Sequence, residues 1–207
     1  MMKFFLPLLC CVTSLFAPNS AAYSYHHDHL LQDSTPAELR RFVLPQTKCI
    51  AYQSADLNGD GLADYVFVLE KQKARPEDPE IDAAQRILTI ALRSANGTLS
   101  VVKSNDKIVF CSTCGGVFGD PFDELKATTK SFFVHHYGGS NWRWANTFTF
   151  GYSRKDNTWQ LISVEEQSYH TANPDKMKTK QYKPPKDFGK IDIADFDPEK
   201  FKGVGPK

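Results

Sequence analysis

The string with the most chemistry in this chain is Asp56-Leu57-Asn58-Gly59-Asp60-Gly61-Leu62-Ala63-Asp64. Side-chain oxygens recur at its first, third, fifth and ninth positions, Gly61 supplies a sharp turn, and Leu62 offers a main-chain carbonyl one residue later. Hard divalent cations need this ligand set. A calcium ion held by Asp56, Asn58, Asp60, Leu62 and Asp64 is therefore expected. The twelfth position is Phe67, not the bidentate glutamate of an EF-hand, and residues 63–70 alternate as a strand. The loop should thus join two strands, and its ion should be structural, because nothing in the motif supplies a nucleophile or a general acid. Without an ion the same residues make an acidic turn.

A second string runs Cys111-Ser112-Thr113-Cys114-Gly115-Gly116-Val117-Phe118-Gly119-Asp120-Pro121-Phe122. A redox-active pair needs a thiolate at a helix start, and two glycines stand where that helix would begin. A zinc site would need further ligands; His135 and His136 are the candidates, but neighbours on a strand face opposite ways. A structural disulfide between Cys111 and Cys114 is the plainer expectation in an oxidising compartment. Cys49 would then be left over, either buried or competing for one of the two.

The third string is Val134-His135-His136-Tyr137-Gly138-Gly139-Ser140-Asn141-Trp142-Arg143-Trp144. A strand enters a small loop and leaves through alternating aromatic and basic residues. Tyr137, Gly138, Gly139, Ser140, Asn141, Trp142 and Arg143 are the expected partner-binding segment, since protein contacts favour Trp, Tyr and Arg. The plainer alternative makes Trp142 and Trp144, which share a strand face, core fillers beside a tight hairpin. Catalytic constellations are weaker. Ser140 lacks a nucleophile-elbow context, and Glu165 and Glu166 face opposite ways on a strand. His136 and His170 are the best candidates for a hydrolase, and neither comes with an evident partner.

These strings need a scaffold. Of 207 residues, 41% are hydrophobic and 24% charged, enough for a core and against wholesale disorder. The 25 basic and 24 acidic residues nearly balance, which removes the electrostatic case for a nucleic-acid or membrane-surface binder. Residues 1–22 read as a secretory signal: Lys3, a 14-residue apolar stretch over 4–17, then Ser20-Ala21-Ala22 before a cut at Tyr23. That stretch is too short to span a bilayer, which takes roughly 20 residues. Periplasmic or secreted localisation follows. The rival is a lipid anchor at Cys10 or Cys11, disfavoured by the bulky Leu9. Residues 23–47 read as a polar lead-in, with His26, His27 and His29, followed by a short helix from Ser34 to about Phe42 capped by Ser34 and started by Pro36.

From residue 48 to 197 the pattern is β. Strand-like stretches fall at 48–54, 64–70, 86–93, 98–103, 131–137, 144–152 and 158–165, with a hairpin turn at Ala95-Asn96-Gly97 and another over 154–157. Residues 75–79 read as a charged, proline-bearing loop, 176–186 as a basic segment and 198–207 as a flexible tail. Many short antiparallel strands imply an all-β, propeller-like domain, with a sandwich or barrel as the alternatives.

Together, the export signal and the strings at 56–64, 111–122 and 136–144 resemble a bacterial exported family of calcium-loop β-propeller-like proteins. Its members include an immunity protein against a lysozyme-like toxin. The family's fold is similar to that of periplasmic inhibitors of animal-type lysozymes, which insert loops into the enzyme's cleft. The resemblance implies an inhibitory binding role, a lysozyme-like glycan hydrolase as partner, and no catalysis by this chain. On that reading Ser140 and Asn141 reach the acidic cleft and Arg143 pairs with a carboxylate there. The alternatives are an exported hydrolase and a structural envelope module.

Overall fold

The computed structural model describes residues 35–72 and 85–201. The signal segment, His26, His27 and His29, the expected helix cap Ser34, the whole charged loop at 75–79 and the last six residues lie outside that range. Among the described residues no helix is long and apolar enough to cross a membrane.

Two antiparallel sheets make the fold. The first is a meander of β1 (Thr47–Ala55), β2 (Asp64–Lys71), β3 (Arg86–Arg93) and β4 (Leu99–Asn105). The second is a meander of β5 (Phe122–Thr128), β6 (Ser131–Gly139), β7 (Trp142–Ser153), β8 (Thr158–His170) and β9 (Lys178–Tyr182). The all-β antiparallel expectation holds. The two sheets do not close into a barrel and face each other across one core, a sandwich-like arrangement.

Strand periodicity explains the layers. On β2, Val66 and Val68 face the second sheet and join Leu88, Ile90, Phe132, Phe148, Phe150 and Trp159. Phe67 and Leu69, one residue out of phase, point the other way and are also buried, in a cluster with Cys49, Leu99 and Leu39. The chain before β1 thus forms a third layer over the outer face of the first sheet. That layer is not the expected helix: a turn leads into one 3₁₀ turn at Arg40–Phe42, which has no side-chain cap. Leu39 must reach the β2 surface, where it is fully buried, so packing overrides the local helix signals.

The seven anticipated strands all form. β5 and β9 were not anticipated: FDELKAT and KTKQY are charged edge strands whose geometry comes from pairing with β6 and β8. The expected turn at 95–97 closes with the Ser94 amide donating to the Thr98 carbonyl at 2.9 Å. At the far end, residues 191–193 pair with β8 through Leu161 N to Ile191 O (3.0 Å) and Ile193 N to Trp159 O (2.9 Å). Phe201, expected in a loose tail, packs its ring against Tyr182, Phe188 and Phe196.

Candidate functional site

The 56–64 loop joins β1 to β2, as its strand-like flanks require. Backbone amides turn inward onto its carboxylates. Asp56 Oδ1 accepts from Gly59 N (2.6 Å) and Asp60 N (3.1 Å), and Oδ2 accepts from Gly61 N (3.0 Å). Asp60 Oδ1 accepts from Leu62 N at 2.8 Å, and Asn58 Nδ2 donates to Asp60 Oδ2 at 2.8 Å. Asp64 is fully buried and accepts from Leu57 N (2.9 Å) and Arg93 N (2.8 Å). Its pKa is pushed up by burial, against those amides and with the charges of Asp60 and Asp56 adding to the rise.

The curl brings one oxygen each of Asp56, Asp60 and Asp64 within 4.8 Å of one another. Two ligands across a calcium ion at about 2.3–2.6 Å each are separated by about that much. Three carboxylates this close repel, and among the described residues none of them is in an ion pair. The donor set therefore fits a hard divalent cation. The loop also lies at the seam between the sheets: Trp159 Nε1 donates to Leu57 O (3.0 Å), Lys130 N to Asp56 O (2.8 Å) and Arg154 Nη2 to Gly59 O (3.3 Å).

The opposite end of the second sheet carries the aromatic string. β6 and β7 pair in continuous register from Ser131↔Gly151 to Gly139↔Arg143. Gly139 has φ +112°, and an added Cβ would lie 2.0 Å from the Trp142 carbonyl oxygen, so only glycine closes this turn. Of the expected contact residues, Gly138 and Gly139 are buried, Tyr137 is half-buried with its hydroxyl 3.0 Å from that of Tyr169, and Ser140, Asn141 and Trp142 are exposed. Trp142 and Trp144 share a face as expected but not a fate: Trp144 is buried over Gly138, while Trp142 is 63% exposed beside His170. Arg143 points to the other face, its guanidinium 4.0 Å from the Phe118 ring centroid.

Phe118 and Val117 belong to this tip, although they lie far from it in sequence. Gly116 bridges Gly139, and Gly139 N donates to Gly115 O at 2.9 Å, which lays the 115–119 turn alongside the 139–142 turn. Val117 is 81% exposed and Phe118 49%, with the Phe118 ring also edge-on to Tyr137. Their only sequence signal was two apolar residues flanked by glycines. Cys111 and Cys114 Sγ atoms lie at bonding distance in the preceding turn, and Cys49 is buried and free.

Arg86 anchors that segment from the first sheet. Its guanidinium donates to Glu70 (Nε to Oε2, 2.7 Å), Asp120 (Nη1 to Oδ1, 2.7 Å) and the Phe110 carbonyl (3.0 Å). Burial works against its charge, but Asp120 and Glu70 more than compensate and raise its pKa.

His135 and His136 face opposite ways. His136 is fully buried against Phe110, at 4.2 Å between ring centroids, and its Nε2 accepts from Phe110 N at 3.2 Å. Burial lowers its pKa to about 3, helped by the charges of His135 and Arg86. His170 Nδ1 accepts from Ala172 N at 3.1 Å. Comparison of the chain with protein-family models, with curated proteins and with solved structures finds no match.

Proposed function

We propose that this chain is an exported, calcium-stabilised binding protein that acts as an inhibitor of, or immunity protein against, a lysozyme-like peptidoglycan hydrolase. The observation that carries the reading is the composite tip. Ser140, Asn141 and Trp142 stand exposed on a hairpin of continuous register, with Val117 and Phe118 exposed beside them. Apolar side chains rimmed by polar ones mark a contact surface, and a short projecting hairpin suits a cleft.

The ion in this reading is structural. From Lys130, beside the cation loop, to Gly139 at the tip runs the whole of β6, about 30 Å at roughly 3.3 Å per residue. Calcium bound to Asp56, Asn58, Asp60, Leu62 and Asp64 would hold the sheet seam, not touch the partner.

Inhibition of purified animal-type lysozymes and secreted bacterial muramidases tests the role. The expected result is inhibition of at least one enzyme by the wild type, lost in Trp142→Ala and in Ser140→Ala/Asn141→Ala with melting temperature unchanged. No inhibition of any of these enzymes, or inhibition indifferent to both variants, overturns it. Export has its own readout: the protein recovered from a bacterial envelope should begin at Tyr23 by intact mass, and a chain retaining residues 1–22 refutes cleavage.

A further inference from the structure

The edge strand of a sheet leaves a row of amides and carbonyls that another strand can join, and the described sheets end in β1, β4, β5 and β9. β1 and β5 lie against each other. β4 is obstructed along its length: Leu99 O accepts from Arg41 Nη2, Val102 falls at a bulge between the pairs Ala91↔Val101 and Ile90↔Lys103, and Lys103 and Asn105 engage Asp192 and Ile193. β9 differs. It pairs with β8, no described residue outside β8 hydrogen-bonds to its backbone, and Lys178, Thr179, Lys180 and Gln181 are exposed on both faces.

Positive charge is concentrated along this open edge. Lys176, Lys178, Lys180, Lys183 and Lys186 are all exposed, and none is in an ion pair with a described residue. The nearby carboxylates are engaged elsewhere: Glu166, opposite Lys180 in register, accepts from the Tyr182 hydroxyl (3.1 Å), Glu165 from Gln167 Nε2 (2.8 Å) and Asp187 from Lys183 N (2.8 Å). Asp175, in the turn before the strand, is the neighbouring acid with no described partner. Lysines on an edge guard it against pairing, and here they decide what can pair. A second copy docking edge to edge would set lysine against lysine, which destabilises a directly opposed pair.

A strand with carboxylates at every second position turns that repulsion into attraction, because Lys178 and Lys180, two residues apart, share one face. We infer that the free edge of β9 takes up an extended acidic segment of another protein as a sixth strand of the second sheet, held through the backbone and selected by Lys178 and Lys180. The open backbone favours a peptide: a phosphate polymer or an anionic lipid would use the lysines and leave the edge amides and carbonyls unpaired. The site lies apart from the 139–142 turn and does not depend on the inhibitor reading.

The test offers the whole mature protein a capped peptide alternating glutamate and threonine, the same peptide N-methylated at alternate amides, inorganic polyphosphate, and phosphatidylglycerol vesicles. Affinity is measured by calorimetry, and hydrogen exchange of the Lys178–Tyr182 amides is followed alongside. The expected result is saturable peptide binding that slows exchange in β9, weakened about fivefold in Lys178→Gln/Lys180→Gln and about tenfold by N-methylation. Both lysines are exposed, so the melting temperature of the double variant should match the wild type. Lys178→Glu/Lys180→Glu should instead prefer a peptide alternating lysine and threonine. No saturable binding, binding that leaves β9 exchange unchanged, or an N-methylated peptide bound equally well overturns the site. Polyphosphate or vesicles bound more tightly than the peptide, and lost in the same variants, overturn it in favour of a polyanion or a membrane surface. Peptide binding by a protein that inhibits no muramidase supports this site and sinks the inhibitor role.

Discussion

His136 carries a consequence for the whole protein's response to acid. It is neutral in the fold, with a pKa of about 3, against an ordinary value of 6.5. Above about pH 6.5 neither folded nor unfolded chain protonates it. As the pH falls below that, the unfolded chain gains a proton that the folded one refuses, so stability falls by about 1.4 kcal/mol per pH unit until the folded pKa is reached. Urea midpoints between about pH 6.5 and 4.5 should show this slope in the wild type and less of it in His136→Phe. Equal slopes would mean that His136 is not the group titrating. Carboxylates with lowered values, such as Asp192 and Asp197, lose their contribution at lower pH and fall outside that window. The tip depends just as locally on Gly139: with φ +112° and a carbonyl oxygen in the space of a Cβ, Gly139→Ala should distort the Ser140–Trp142 turn and reduce whatever the tip binds.

At the scale of the loops and strands, two links decide whether the sites keep their shape. Arg86 joins Glu70 of β2 to Asp120 of the segment leading to Phe118. Removing the guanidinium leaves the buried Glu70 carboxylate with only the part-exposed Lys48 ammonium, 3.1 Å away, as counterion, so Arg86→Met should cost about 3 kcal/mol in urea unfolding, the lower end for a broken buried pair. Arg86→Met with Glu70→Met should recover part of that loss; a double variant no better than the single one contradicts the electrostatic account. The β1–β2 loop is best probed at Asp60, which is exposed, because Asp64 is buried and binds two amides of the fold whatever else it does. If calcium binds, a chelator lowers the wild-type melting temperature, an effect of about 2.7 kcal/mol with ion at 100-fold over its dissociation constant. Asp60→Ala should lose that response. A wild type that melts identically with and without chelator removes the ion from the proposal.

The molecule as a whole is closed by its last described segment. Ile193 and Phe196 are each 1% exposed and plug the core between the sheets. Asn105 Nδ2 of β4 donates to Ile193 O (2.7 Å) and Phe196 O (2.9 Å), while residues 191–193 pair with β8. The segment therefore ties the far strand of one sheet to the other. Phe196→Ala should destabilise by about 3–5 kcal/mol, and a chain ending at Lys190 should unfold without a cooperative transition. Retained cooperativity after that truncation would show that the two sheets suffice.

Local spacing determined much of this protein in advance. The alternation of β2 and β3, the Asn96-Gly97 turn, the oxygens of 56–64 and the three-residue separation of Cys111 and Cys114 are encoded within a few residues of one another, where backbone periodicity and turn geometry act. Tertiary structure alone decided the rest, because it depends on what lies opposite. β5 and β9 are strands because a neighbour pairs with them. Leu39 is buried by the outer face of β2 and not by a helix. Trp142 and Trp144 occupy the same face, yet only Trp144 lies where other residues cover it. Phe118 meets Arg143 because a bridge between Gly116 and Gly139 carries it across 25 residues of chain, as 143 − 118 gives; no periodicity in the sequence spans such a contact.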